Sequence, residues 1–344
     1  MGRMTKPFHA HTIDAVASAD ARRRIIWIGS ATGLELGMAH AGLATDADLT
    51  DAASPQQAAA TYAAHAGTTA IGPAGAIGPA VAIGPAGAIG PAGAIGSGVA
   101  AETTPVLGVL AADRPGRFTT ADALLLSRVW PLMPIVSVAS SLVDGRRRSG
   151  PQIPGIEEVP WHDLPGRCRW WLAALAAGLP TSLGLPATAR REERLLESIN
   201  GIRSRGQALP PGATGPVEVS VAAERADDLE ALCDLLARTG HRIIGRQLGR
   251  PHLDESAAAV IWDAGDLSAG DTEWLRLLAA NRPGLCIVVL ESFPRGETVM
   301  AALRAGAAAV LGRPLSLEAL LGTLLGWRPE KPGHAGLGRP RVRG

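Results

Sequence analysis

The clearest alternation of apolar and polar segments begins at Val217. VEVSVA is a short strand-like run, and DDLEALCDLLARTG follows with Leu229, Leu232, Leu235 and Leu236 at helical spacing, closed by Gly240. RIIGRQ and AAAVIWDAGD predict two further strands, and DTEWLRLLAANRPG predicts a helix ended by Pro-Gly. CIVVLES, ETVMAALRAGA, AAVLGRP and SLEALLGTLLGW complete strand, helix, strand and helix. Strands that alternate with helices predict parallel pairing and a sheet covered on both faces.

The first half repeats this alternation less regularly. RRRIIWIGS reads as a basic flank, a buried strand and a Gly turn, and LELGMAHAGL has apolar residues at helical spacing. PVLGVLAADRPGR gives a second buried strand, TTADALLLSRVW a helix with Thr119 or Thr120 as N-cap, and PLMPIVSVASS a third strand. GIEEVPWHDLPGRCRWWLAALAAG then predicts an extended segment, a Pro-bounded turn and a last helix. Between the first two strands lies a repeat of the hexamer A-I-G-P-A-G, with Gly at every third position from Gly72 to Gly96 except at Val81. Pro73, Pro79, Pro85 and Pro91 argue against a membrane-spanning helix in this uncharged stretch. A short, interrupted Gly-X-Y run inside a globular chain predicts a flexible or polyproline-II insertion rather than a collagen trimer.

The resulting organisation is a flexible tail over 1–20, a first α/β domain over 21–178 with the repeat inserted at about 67–100, a linker over 179–216, a second α/β domain over 217–327 and a basic tail over 328–344. In the linker, ATARREERLLESINGIRS places Leu195, Leu196, Ile199 and Ile202 on one helix face, and LPPGATGP marks the boundary.

Composition removes several chemistries. Of the 33 basic residues only Lys6 and Lys331 are lysine, and neither follows a glycine, so the Gly-Lys-Ser/Thr phosphate loop and a Schiff-base lysine are excluded. A net charge of +1 gives no global reason to expect nucleic acid or an anionic membrane as partner. Arg146, Arg147 and Arg148 and the C-terminal RPRVRG read as solvated loop and tail. No apolar run at the start of the chain suits a signal peptide, so a cytoplasmic protein is expected. Cys168, Cys233 and Cys286 lack zinc-site spacing, and the last two are expected as buried thiols.

VSVAAERADDLEALCDLLARTGH, AAAVIWD and AALRAGAAAVLGRPLSLEALL together resemble the receiver domain of two-component response regulators, over about Val217 to Trp327. The first half resembles a more eroded copy. The resemblance implies an α/β protein of two flavodoxin-like doubly wound parallel-sheet domains joined by a helical linker. It also implies a phosphoacceptor at Asp263, and an acidic pair for Mg²⁺ at Ala223 and Glu224, of which only Glu224 is acidic. Asp266 lies nearby as a further oxygen donor. The hydroxyl position falls on Glu291, or with a one-residue slip on Ser292, and the lysine position on Arg313, before Pro314, whose peptide bond is often cis in this family. In the first half Gly29 and Ser30 replace the acidic pair, Asp113 follows the strand that corresponds to the third, and the fourth ends near Ala139 and Ser140.

Receiver chemistry needs a hard cation on oxygen ligands and a basic group to neutralise the transferring phosphoryl. Ala223 removes a carboxylate, Glu291 puts a negative charge where a phosphoryl oxygen is received, and Arg313 keeps the charge without the compact contact. Arg313 is instead a partner for Asp263 or Glu291. The expected function is therefore non-enzymatic: a signalling or scaffolding protein, without cofactor, that acts through protein partners at the face receivers commonly use, formed by their fourth helix, fifth strand and fifth helix, or that pairs with a second copy through this face or the linker helix. Two alternatives stay open. One is a phosphorelay receiver with Mg²⁺ held by Glu224 and Asp263. The other is a nucleotide-binding enzyme using Gly29, Gly33 and Gly37, although the second glycine of G-x-G-x-x-G is missing. A hydrolase built on Ser140, Ser141, His162 and Asp163 lacks the G-x-S-x-G elbow. The adjacent His162 and Asp163 are not expected to orient each other, and a satisfied turn histidine is the expectation.

Overall fold

The computed structural model describes residues 23–69, 105–142, 153–177, 181–185, 189, 192–194, 196–197 and 216–327. The two expected tails, the hexamer repeat, Arg146 to Arg148, and Leu195, Ile199 and Ile202 of the linker stripe lie outside the described residues. Leu196 of that stripe is exposed.

The first unit runs β1 (Arg24–Gly29), α1 (Leu34–Ala44), β2 (Asp48–Ala52), α2 (Pro55–Thr69), β3 (Leu107–Ala112), α3 (Thr120–Val129), β4 (Ile135–Ala139), β5 (Glu157–Pro160) and α4 (Leu164–Ala176). The second runs β6 (Glu218–Ala223), α5 (Ala226–Arg238), β7 (Arg242–Leu248), β8 (Ala259–Gly265), α6 (Ala269–Asn281), β9 (Cys286–Glu291), α7 (Gly296–Arg304), β10 (Ala309–Gly312) and α8 (Leu317–Gly326). Both sheets are five-stranded and wholly parallel, in the orders β2-β1-β3-β4-β5 and β7-β6-β8-β9-β10. This shared order is the flavodoxin-like doubly wound arrangement, and it makes the chain an α/β protein of two such units.

The near-continuous apolar strands follow from burial on both faces. In the second unit Val219, Val221, Ile261, Val288 and Leu290 pack with Leu229, Leu232 and Leu236 of α5 and Leu320 and Leu324 of α8. The alternate residues Ala222, Val260, Trp262, Ile287 and Val289 pack with Leu275 and Leu278 of α6 and Val299 and Ala302 of α7. The first unit has the same two-sided core, with Ile26, Ile28 and Leu110 facing α2 and α3, and Ile25, Trp27 and Val109 facing α1 and α4. Thr119 caps α3 in a reciprocal box with Asp122.

Two elements ahead of the repeat have no counterpart in the sequence reading. β2 is the polar edge run DLTDA, of which only Ala52 is buried, so it carries no apolar alternation to read. α2 is rich in Ala and buries only Pro55 and Ala58 among its described side chains.

The units pack together through α4 and α8. Nearly all of α8, from Leu317 to Leu324, is buried, and Leu164, Cys168 and Trp171 of α4 join Leu317 and Leu321 in one apolar cluster. The helices cross at Gly166 and Gly322. A Cβ on Gly322 would collide with the carbonyl oxygen of Gly166, and one on Gly166 would collide with that of Ala319, so only glycine allows this backbone approach. This corrects the expected docking face. The second unit has four helices, with none between β7 and β8, so the fourth helix, fifth strand and fifth helix of the receiver order correspond to α7, β10 and α8. The first unit covers α8 and touches the other two: Leu34 and Glu35 lie against Gly296, and His162 lies against Gly312.

Candidate functional site

Asp263 sits near the C-terminal end of β8, beside Ala223 of β6 and Leu290 of β9 in register. Its side chain is only 3% exposed, so its charge needs a partner. The partner is Arg313, at the end of β10, whose guanidinium forms an ion pair with Asp263 Oδ2; Arg313 also lies 3.5 Å from Asp228 Oδ2 on α5. The backbone N–H of Gly265 is directed at Asp263 Oδ1 at 3.4 Å. The Arg313–Pro314 peptide bond is cis.

Glu224, Asp266, Glu291 and Ser292 make no hydrogen bond or ion pair with Asp263 or Arg313, although Glu224 Oε2 lies 3.8 Å from where a Cβ on Gly265 would stand. Glu224 and Asp266 are exposed. Ser292 is exposed as well, and its backbone N–H donates to the Gly265 carbonyl at 2.6 Å. Glu291 is the last residue of β9, paired in register with Gly265 on one side and Gly312 on the other. Among the described residues no group of three or more His, Cys, Asp and Glu side chains is arranged to hold a metal ion. With Ala223 contributing no oxygen and a guanidinium occupying Asp263, these side chains do not fit Mg²⁺.

The Glu291 carboxyl is buried, and its Oε2 has no hydrogen-bond partner among the described residues. Burial first, then the negative Asp266, push its pKa up to about 7, against the attraction of His162 and Arg295 and a hydrogen bond from the Leu267 backbone.

Several polar side chains that sequence reasoning passed over lie on the seam between the units. Glu318 of α8, 3% exposed, accepts through Oε2 from Arg167 Nη2 at 3.0 Å, Trp171 Nε1 at 2.8 Å and Ser182 Oγ at 2.7 Å. Arg167 also pairs with Glu157 Oε1 at 2.8 Å, and Arg194 with Glu157 Oε2 at 2.8 Å. Burial alone would lower the Arg167 pKa, but Glu157 and Glu318 outweigh it and hold the guanidinium charged. Glu35 of α1 accepts from the Ser141 N–H at 2.6 Å and the Gly296 N–H at 3.2 Å, so one carboxylate ties both units. A glutamate in the otherwise apolar run SLEALL was the available signal for Glu318; Glu35 left none.

Contrary to the expectation for adjacent residues, His162 Nδ1 and Asp163 Oδ1 are hydrogen-bonded at 3.0 Å. Asp163 Oδ1 also accepts from the Gly312 N–H at 3.3 Å, so this turn is a contact between units. Gly29 has φ of 121°, and a Cβ there would lie 2.7 Å from the Ala111 carbonyl oxygen, which accounts for the glycine without a ligand. All three cysteines are free and buried. No helix among the described residues is long and apolar enough to cross a membrane.

No protein-family model matches the sequence. No curated protein matches it. Among solved structures, the chain is similar to a pilus assembly protein from Burkholderia thailandensis, at 27% identity over 31% of this chain and 94% of that one, with a TM-score of 0.30. It is similar to the pilus assembly protein CpaE from Caulobacter crescentus, at 16% identity over 33% and 94%, with a TM-score of 0.28. It is also similar to the BeF3-activated receiver domain of DrrB, a Thermotoga maritima response regulator, at 20% identity over 31% and 92%, with a TM-score of 0.26.

Proposed function

We propose that this chain is a non-enzymatic, cytoplasmic signalling or scaffolding protein in which a receiver-like unit acts by protein interaction and is not switched by phosphorylation. The observation that carries the reading is the Arg313–Asp263 ion pair. A carboxylate held by a guanidinium is a poor nucleophile toward a phosphodonor unless the pair opens, and among the described residues no group of three or more possible ligands is arranged to bring in the metal that would open it. The charge that Mg²⁺ and lysine would manage is balanced inside the protein instead.

The docked arrangement adds to the reading. With α8 covered by α4, partners or a second copy would bind surfaces other than the α7–β10–α8 face, and the two units would present themselves as one body. The test is incubation of the full chain with Mg²⁺ and a small phosphodonor, followed by intact-mass measurement beside Asp263→Asn. The expected result is an unchanged mass for both. A phosphoryl adduct on the wild type that is absent from Asp263→Asn would establish the phosphorelay alternative.

A further inference from the structure

Glu291 stands where the two units meet. Its register neighbour Gly312 has no side chain, and the His162 imidazole of the first unit occupies the space a side chain would fill there. Asp163 fastens the same turn to the Gly312 N–H. The turn from the other unit is therefore seated on the strand position beside the buried carboxyl, one of whose oxygens lacks a hydrogen-bond partner among the described residues.

The groups around it set the balance. Asp266, on the loop after β8, repels a charged Glu291, while His162 and Arg295 attract it. Asp163 adds negative charge beside His162. Glu35 is committed to the Ser141 and Gly296 amides, and Arg313 is committed to Asp263 and Asp228, so neither is free to serve Glu291. A neutral carboxyl suits this site. A carboxylate would be left with a buried, unpartnered oxygen, and lifting the turn would let water reach it.

We propose that Glu291 is a proton-operated latch on the seam: while its carboxyl is neutral the His162–Asp163 turn stays seated on β10, and ionisation favours release of that turn. The latch depends on the docking of the two units and not on the fate of Asp263, so the phosphodonor experiment and the test of the latch can fail separately. The raised pKa places the transition near neutrality. Since the docked form binds the proton more tightly than the released form, docking strength is full at low pH and is lost as pH rises toward about 7.

The test is amide hydrogen exchange on the full chain, corrected for intrinsic rates. Opening of the Trp161–Leu164 and Gly312 amides is expected to rise about tenfold between about pH 6 and about pH 8. Amides of β1 and β3 should hold constant, and Glu291→Gln, which cannot ionise, should stay protected at both values. Asp266→Asn, which removes the repulsion, should shrink the wild-type rise. Equal protection of the wild-type seam at both pH values would overturn the latch, as would an undiminished rise in either variant. A rise shared equally by β1 and β3 would overturn it too, since that reports global loosening.

Discussion

Arg313 and Asp263 balance each other's charge at the strand ends of the second unit. A lysine ammonium is a compact point charge, whereas the planar guanidinium offers several donors and reaches both Asp263 and Asp228. The two residues should therefore be energetically coupled. A cycle of Arg313→Met, Asp263→Asn and the double variant is expected to give a coupling on the order of 1–3 kcal/mol by chemical denaturation. Strict additivity would mean that the pair is incidental. The cysteines give a second prediction at this scale. Burial pushes the Cys286 thiol up to about 12 and raises those of Cys168 and Cys233 as well. A thiol reagent near neutral pH should label none of them in the native protein and all three after denaturation. The position of Asp263 at a strand end was legible in the sequence, because AAAVIWD is an apolar run with one acid at its close. The partner of Arg313 remained ambiguous between Asp263 and Glu291, since strand order alone does not say which carboxylate a long, flexible arginine reaches.

At the scale of elements, the α4–α8 crossing depends on two glycines and one buried network. Ala at Gly322 would gain up to about 1 kcal/mol of helix propensity. Forcing the backbones apart costs about 1–3 kcal/mol or more, so Gly322→Ala should lower the thermal midpoint and deprotect α4 and α8 together. Removal of the Glu318 carboxylate leaves the buried Arg167 with Glu157 as its carboxylate partner, takes the acceptor from Ser182 Oγ and leaves Trp171 Nε1 only the longer contact of 3.3 Å with Ser182 Oγ. Glu318→Ala is expected to cost about 3–5 kcal/mol, measured by denaturant unfolding. The strands and helices of the second unit were readable because each apolar run is bounded by a turn signal. β2 was not, since a polar edge strand is specified by its pairing with β1 and not by its own pattern. The crossing was not readable either, because a lone glycine in a helical run looks the same whether or not another helix rests on it.

At the scale of the whole molecule, two sheets of identical strand order are joined by the last helix of each. The apolar cluster is continuous across that junction, with Trp27 and Trp171 of the first unit and Trp262 and Leu321 of the second all belonging to it. Such continuity explains why the face expected to receive a partner is already used, and it places Glu35, Asp163 and Glu318 as polar ties around an apolar centre. In the function proposed above, the receiver-like pocket is satisfied from within by the Arg313–Asp263 pair and has no use for a metal and phosphoryl mimic. Thermal unfolding of the full chain with Mg²⁺ and beryllofluoride tests this most directly. A ligand at a hundredfold excess over its dissociation constant would stabilise the folded state by about 2.7 kcal/mol. An unchanged midpoint is expected; a rise of that size that disappears in Asp263→Asn would show that the pocket takes up the mimic and overturn the proposed function.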